Sequence, residues 1–518
     1  MTERPSAHDG GPLARRSAVS TVASLFDARA GIRPDDVAID DGAKRRSYAE
    51  MADRTRRLAA VLAGRGVGRG DRVAILSENR LEYLELYIAA ARLGAIVACQ
   101  NWRLAAPELA HCLDLVEPAA ALVSPRHKGA WRALGRDGPP PILLGDAYEA
   151  LLVEATPHDE VVEIDPEDAF LILYTSGTTG LPKGAVISHR AEIARNVVLR
   201  AEFGIAARDT FVAWPPLYHM GAAEYSLGTL MSGGKVMVVD GFDQARLADI
   251  VAAEELGWLL LMPGMVGDFA TELEERGVRA RGVKVCGVMA DLVPPSQIAR
   301  ITKLLDAPYA NTFGATETGC PPCSSSLIPV GVAPENLSKR QSPFCEVRLV
   351  DADDRQVPDG TPGELCMRGA TLFSGYWRAP EVNAHEFRGG WFHMGDVFTR
   401  NPDGTLDFVD RVKYLIKSGG ENIYPAEIER VLLEDERVAD AAVVRRVDEK
   451  WGETPVAFVA RRDDTLSAAD LYARCRERLA GYKQPRDIRF IALEAFPRSA
   501  SGKIQRHELE KTLSEDPP

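Results

Sequence analysis

A chain of 518 residues exceeds one hydrophobic core and predicts two to four domains. Its 46% hydrophobic and 26% charged residues are ordinary for a globular protein, and a net charge of -13 excludes a general nucleic-acid binder. Any anionic ligand must therefore be met by local positive groups. Eight cysteines, mostly without paired spacing, fit a reducing compartment and predict a cytoplasmic location. The one close pair, Cys320-Pro-Pro-Cys323, lacks the second pair of a zinc ribbon.

Met1 to Ser20 is polar, contains Gly10-Gly-Pro and lacks the apolar segment of a signal peptide, so residues 1–18 are expected to be a disordered tail. The longest apolar stretches, Leu86 to Cys99 and Trp258 to Val266, are interrupted by Arg92 and Pro263, and no membrane span is expected. From Arg72 onward, strands at Arg72-Val-Ala-Ile-Leu-Ser, Gly94-Ala-Ile-Val-Ala-Cys and Ala119-Ala-Ala-Leu-Val-Ser alternate with helices at Leu81 to Leu93 and Ala106 to Leu115. This is a βαβαβ order.

Asp168-Ala-Phe-Leu-Ile-Leu-Tyr then reads as a buried strand, and Ala191 to Phe203 as a helix. Between them, Tyr174-Thr-Ser-Gly-Thr-Thr-Gly-Leu-Pro-Lys-Gly is expected to be a loop joining strand to helix. Glycines let a backbone approach an anion, hydroxyls add donors and a lysine adds a mobile positive charge, so this stretch suits a nucleotide polyphosphate. It is not a Walker A sequence, because Gly184 follows Lys183 where Ser or Thr would be needed.

A second series of strands, at Thr210, Lys235, Gly257 and Val283, alternates with helices near Tyr225, Ala245, Met265 and Ser296. Two doubly wound sheets follow, with ligands expected at the carboxyl ends of their strands. After about Gln341 hairpins take over: Cys345-Glu-Val-Arg-Leu-Val-Asp with Gly363-Glu-Leu-Cys-Met-Arg-Gly, and Gly395-Asp-Val-Phe with Thr405-Leu-Asp-Phe-Val across Asn401-Pro-Asp-Gly. The last hundred residues mix helices and strands and end in Pro497-Arg-Ser-Ala-Ser-Gly-Lys, a second loop of small residues around one lysine. The fold class is thus α/β. A large N-terminal domain, 19–411, contains a β-rich subdomain at 341–411, and a small α+β domain spans 412–518.

Several pieces in order resemble the adenylate-forming superfamily of acyl-CoA synthetases, luciferases and peptide-synthetase adenylation domains. They are the glycine-rich stretch, Pro216-Leu-Tyr-His-Met-Gly, Thr312-Phe-Gly-Ala-Thr-Glu, Gly363-Glu-Leu, Trp391-Phe-His-Met-Gly-Asp, Asp410-Arg-Val-Lys, Ser418-Gly-Gly-Glu-Asn-Ile-Tyr-Pro-Ala-Glu-Ile-Glu and Ser501-Gly-Lys. The resemblance covers nearly the whole chain. It implies that a carboxylic acid attacks the α-phosphate of ATP to give an acyl-adenylate and pyrophosphate, after which the CoA thiol displaces AMP. A carrier protein, an amine or a small inorganic nucleophile remains the alternative acceptor. A homodimer is allowed.

By the same resemblance, Thr175, Ser176, Gly177, Thr178, Thr179, Gly180 and Lys183 hold the leaving pyrophosphate, and Thr175 and Glu317 hold Mg²⁺. Thr312, Phe313, Gly314 and Thr316 surround the nucleotide, with Phe313 offering adenine a face where many relatives have tyrosine. Asp396 and Arg411 bind the ribose. Lys503 neutralises the incoming carboxylate and the α-phosphate, Lys413 is the hinge of a mobile 412–518 domain, and Ser418, Gly419, Gly420 and Glu421 form the CoA channel. His219 gates an acyl pocket drawn from Trp214, Tyr218, Met220, Met262, Val288, Met289, Gly314 and Cys320. That lining favours an aryl or medium-sized apolar acid, with an aliphatic acid still open.

Three places depart from the family's pattern: Asp291 within Val288-Met-Ala-Asp-Leu-Val-Pro-Pro, Lys339-Arg-Gln-Ser-Pro-Phe in place of a Gly-x-x-Gly-x-Pro stretch, and Tyr414 after the hinge. They bear on acyl specificity and acceptor.

Overall fold

The computed structural model describes residues 19–136, 138–160, 162–175, 181–419, 421–498 and 504–515. The chain divides into two compact units, Met1–Glu346 with Arg368–His385, and Val347–Met367 with Glu386–Pro518. The four-stranded hairpin sheet therefore belongs largely to the same unit as the C-terminal α+β residues, a division that cuts inside the expected 19–411 span.

The first unit holds two sheets. In one, the strands run Ile142–Leu143, Ala120–Val123, Arg72–Leu76, Ile96–Cys99, Ala169–Thr175, Lys183–Ser188 from edge to edge. All neighbours are parallel except the last pair. Ala120–Val123 and Ile96–Cys99 are buried throughout, which is why they read as continuous apolar runs without alternation. The crossover helix Leu81–Leu93 is buried almost all round and stops at Gly94, whose φ of 66° costs glycine nothing.

The other sheet has eight strands, with a parallel centre from Tyr309–Ala310 through Gly282–Cys286, Glu255–Leu259, Thr210–Ala213 and Val236–Val238 to Val37–Asp40. Antiparallel strands close both edges, Leu327–Ile328 at one and Arg45–Ser47 at the other. Two N-terminal helices, Val22–Ile32 and Tyr48–Ala63, start from capping boxes at Thr21/Ser24 and Ser47/Glu50.

One expectation is corrected. The glycine-rich stretch joins strand to strand, because Lys183–Ser188 returns antiparallel to Ala169–Thr175, pairing Thr175 with Lys183, before helix His189–Phe203 begins. The run Gly184-Ala-Val-Ile is buried, and Gly184 fits against Ile172 because any Cβ there would lie 2.8 Å from an Ile172 methyl. Burial of a short edge strand overrides the loop-like composition before it.

The second unit contains most of a four-stranded sheet in the order Glu346–Val350, Gly363–Arg368, Phe392–Arg400, Leu406–Arg411, the last three strands pairing antiparallel, and a five-stranded sheet centred on the long hairpin Val438–Asp448 and Gly452–Arg461. Helices Pro425–Leu433 and Ala468–Arg478 cover one face of the latter, with Ile428, Leu432, Leu471 and Cys475 in its core. Helix Arg506–Glu515 packs Leu509 and Leu513 into a second cluster with Phe458 and Phe496. Among the described residues, no helix is long and apolar enough to cross a membrane.

Candidate active site

Thr175 ends its strand directly opposite Lys183, so the two described shoulders of the glycine-rich stretch face each other across one ladder position. Ser176, Gly177, Thr178, Thr179 and Gly180 lie outside the described residues. Lys183 points its ammonium at the ring of Tyr376, 4.2 Å from the centroid, and the Tyr376 hydroxyl donates to Oε1 of Glu317 at 2.8 Å. The Glu317 carbonyl also accepts from the Phe373 N–H. Tyr376 thus stands between two sequence-predicted residues 134 positions apart, and it is itself buried and fixed through its backbone by Asn383. It was missed in the sequence, where the signal was Gly375-Tyr-Trp, an aromatic pair after a glycine with φ 96°.

Thr312, Phe313, Gly314 and Thr316 lie on or beside the hairpin Phe313–Ala315 and Gly319–Cys323. Gly314 is required there, since a Cβ would sit 2.0 Å from the Gly319 carbonyl oxygen. Cys320 and Cys323 are not joined by a disulfide, and none of the eight cysteines is. The Cys320 thiol instead meets the Tyr225 hydroxyl at 3.0 Å, and burial raises its pKa to about 12. It is a packed thiol rather than a nucleophile.

The acyl-pocket candidates occupy different environments. Trp214 is buried, donates to Leu260 O and packs on Phe242, so it is a core residue with Met262 against the same cluster. Tyr218 lies edge-on to Trp102, and burial raises its pKa to about 12. His219 is exposed and precedes helix Met220–Ser232, while Met220, Val288 and Met289 are half-buried. Met289 has a φ of 48°, an unfavourable left-handed conformation for a non-glycine residue, and the preceding Val288 carbonyl accepts from Tyr309.

In the second unit, Asp396 and Arg411 are cross-strand partners, and Arg411 Nε lies 2.9 Å from Asp396 Oδ1. Asp396 is buried and Arg411 is 42% exposed, so the pair keeps an accessible donor face. Glu364, of Gly363-Glu-Leu, supports this strand by accepting from the Gly395 N–H, Arg388 and His393. Two separate motifs are thereby tied together behind Asp396. Asp410 accepts from the N–H groups of Arg411 and Ala426, and burial raises its pKa.

Lys413 lies in the turn Val412–Tyr414, with its ammonium 4.8 Å from the Tyr414 ring centroid. Tyr414 also lies under the Arg506 guanidinium, which is held bidentately by Glu429. This departure from the family's pattern is therefore a cation platform. Ser418 is buried, Glu421 is exposed, and Gly419 has a φ of 59° with its N–H bonded to the Trp451 carbonyl. The Trp451 ring covers Gly419 so closely that a Cβ would lie 2.7 Å from it. Trp451 is a further residue that sequence reasoning missed. Gly420 and Lys503 lie outside the described residues; Arg498 and Ile504 form an antiparallel bridge.

The sequence model of the family described as "AMP-binding enzyme" matches residues 26–377, and that of the "AMP-binding enzyme C-terminal domain" matches 427–503. An indoleacetate–CoA ligase from Aromatoleum aromaticum is 32% identical over 511 residues, covering 94% of this chain and 97% of the relative. A feruloyl-CoA synthase from an Amycolatopsis species is 34% identical over 492 residues, covering 93% and 97%. Among solved structures, the o-succinylbenzoate CoA synthetase of Bacillus subtilis in complex with its acyl-adenylate intermediate superposes with a TM-score of 0.81 at 26% identity, covering 94% and 97%. The chain belongs to the AMP-binding enzymes, the adenylate-forming superfamily, in its acyl-CoA synthetase branch.

Proposed function

We propose that this chain is an AMP-forming acid–CoA ligase acting on an aryl or medium-sized apolar carboxylic acid. The Lys183–Tyr376–Glu317 series carries the reading, because it places a cation and a carboxylate on the two sides of one buried tyrosine beside the glycine-rich stretch. ATP and the acid combine to give acyl-adenylate and pyrophosphate, and CoA then releases AMP. Attack at phosphorus needs alignment and charge neutralisation more than covalent help. Lys183 and the hydroxyls of 175–179 neutralise the departing pyrophosphate, and Lys503 neutralises the attacking carboxylate and the α-phosphate together.

The residues fit a magnesium ion. Tyr376 occupies Oε1 of the half-buried Glu317, and the second carboxylate oxygen and the Thr175 hydroxyl are the hard oxygen donors that would hold the ion. When bound, Mg²⁺ supplies charge neutralisation at the phosphates. Asp396 accepts from ribose hydroxyls, Arg411 donates to the same sugar, and charge-assisted bonds of this kind are worth about 1.5–3 kcal/mol each.

Lys413 is the hinge about which the small domain, residues 412–518, presents first Lys503 and then the 418–421 loop. Trp451 and Gly419 frame the thiol's approach. The two relatives named for indoleacetate and ferulate carry aryl acids, which supports an aryl substrate here.

Purified protein with ATP, Mg²⁺ and a panel of aryl, arylacrylic and aliphatic acids, with pyrophosphate and AMP followed with and without CoA, tests this. Acid-dependent AMP release that needs CoA is expected. CoA-independent turnover would select another acceptor, and no pyrophosphate release with any acid would refute the reading.

A further inference from the structure

One buried arginine touches both segments that frame Glu317. Arg195, on helix His189–Phe203, is almost fully buried, and its stem packs against Gly319, where a Cβ would come 2.8 Å from Arg195 Cγ. Gly319 opens the second strand of the hairpin Phe313–Ala315 and Gly319–Cys323, and Glu317 lies in the turn between those strands. On the other side, Arg195 Nε donates at 2.8 Å to the Thr371 carbonyl. Arg190, earlier on the same helix, donates to the Ala370 and Leu372 carbonyls. Two guanidinium groups of one helix thus take three consecutive carbonyls. From that clamped segment, the Phe373 N–H reaches the Glu317 carbonyl and the Tyr376 hydroxyl reaches the Glu317 carboxylate.

Arg195 is ion-paired with Glu224 of helix Met220–Ser232, which is buried as deeply. A second carboxyl, Glu192, lies one helical turn before Arg195; it is fully buried, and neither of its oxygens has a hydrogen-bond partner among the described residues. Burial, and then the nearby Glu224, raise the Glu192 pKa, so Glu192 is a neutral acid. The guanidinium keeps its proton and needs one ionised carboxylate, and Glu224, in contact with it, is that counter-ion. An apolar residue of similar volume would pack here without the cost of desolvating an ion pair. What the guanidinium adds is a planar fork with one arm fixed on Glu224 and another aimed at the Thr371 carbonyl.

We propose that Arg195, oriented by Glu224, is a positioning residue for adenylation: it fixes the 316–318 turn against the 370–376 segment and so holds the Glu317 carboxylate where the magnesium–nucleotide complex needs it. This rests on the reading of Glu317 as a magnesium ligand.

The test is calorimetry on the full chain with α,β-methylene ATP, which cannot be cleaved at the bond the reaction breaks, in Mg²⁺ and in EDTA. The wild type should bind the analogue more tightly in Mg²⁺. Arg195→Lys keeps a charge for Glu224, but one nitrogen cannot occupy both the Nε and Nη1 positions. In that variant the advantage given by Mg²⁺ should fall about 5-fold to 10-fold, while affinity in EDTA stays within about twofold. Arg195→Met combined with Glu224→Gln removes both charges together, leaves no unpaired buried ion, and should show the same fall. An unchanged ratio of the two affinities in a folded variant, even with both affinities reduced, means a packing role and overturns the proposal. Equal wild-type affinities in Mg²⁺ and EDTA would refute the magnesium reading of Glu317, and the proposal with it. Acid-dependent pyrophosphate release by the wild type is assayed alongside; its absence would refute the ligase reading, while the affinity ratios still decide the role of Arg195.

Discussion

Replacing Tyr376 by Phe isolates one contact in the Lys183–Tyr376–Glu317 series. The ring under Lys183 stays, and the 2.8 Å bond from the hydroxyl to Glu317 is lost. Bonds to charged groups are worth about 1.5–3 kcal/mol. Glu317 is half-buried and water can replace part of that bond, so the lower end applies, about 1.5 kcal/mol. This is about tenfold in kcat/KM for adenylation. Tyr376→Leu also removes the cation–π contact, for about 1 kcal/mol more, or roughly a further fivefold. Pyrophosphate release at varied ATP and Mg²⁺ measures both, and the Phe variant should show its loss chiefly as a raised Mg²⁺ requirement. Wild-type behaviour of the Phe variant, or equal impairment of Phe and Leu, would refute the assignment of Tyr376 as the element that positions Lys183 and Glu317.

Gly419→Ala should slow thiolation and leave adenylation nearly intact, because its Cβ strikes the Trp451 ring at 2.7 Å and its φ of 59° is costly for alanine; accumulation of acyl-adenylate in a quenched reaction is the readout. Lys503→Ala should do the reverse, cutting pyrophosphate release by about 10²–10³ while hydrolysis or thiolation of supplied adenylate persists; unchanged release would remove Lys503 from the first step. His189 is buried against Phe170 and accepts from the Val22 N–H, and burial lowers its pKa from 6.5 to about 4. It is neutral in the folded protein and protonates more readily when unfolded, so stability is full above about pH 6.5 and declines as pH falls toward 4, by about 1.4 kcal/mol per pH unit at most. Urea midpoints from pH 7.5 to 4.5 should fall less steeply in His189→Asn; identical slopes would mean that His189 does not control this loss.

Much of the fold was legible in the sequence because buried parallel strands and amphipathic helices announce themselves by apolar runs and period. Strands at 72, 96, 120 and 210 and helices at 81, 106 and 295 appear where the pattern puts them. The return strand Lys183–Ser188 was hidden, since a composition rich in glycine and hydroxyls reads as loop, and only the open edge of the six-stranded sheet makes it a strand. The cross-strand partnership of Asp396 with Arg411 was half-visible: the hairpin turn at Asn401-Pro-Asp-Gly predicts the pairing, while the register that sets Arg411 on Asp396 depends on an irregularity between Val397 and Phe398.

By itself, the sequence determined the family, whose motifs survive in order, the α/β architecture, and which residue types are proposed to handle phosphate, ribose and a developing carboxyl-phosphate bond. Tertiary structure alone decided which of these residues meet. Tyr376 between Lys183 and Glu317, Trp451 over Gly419, Arg506 on Tyr414, and Lys339 joining Asp291 to Asn311 are contacts between segments tens to hundreds of residues apart. Local propensity carries no information about such pairs. They are set by which faces the packed sheets bring together, and by the cost of burying a charge such as Lys339 without partners.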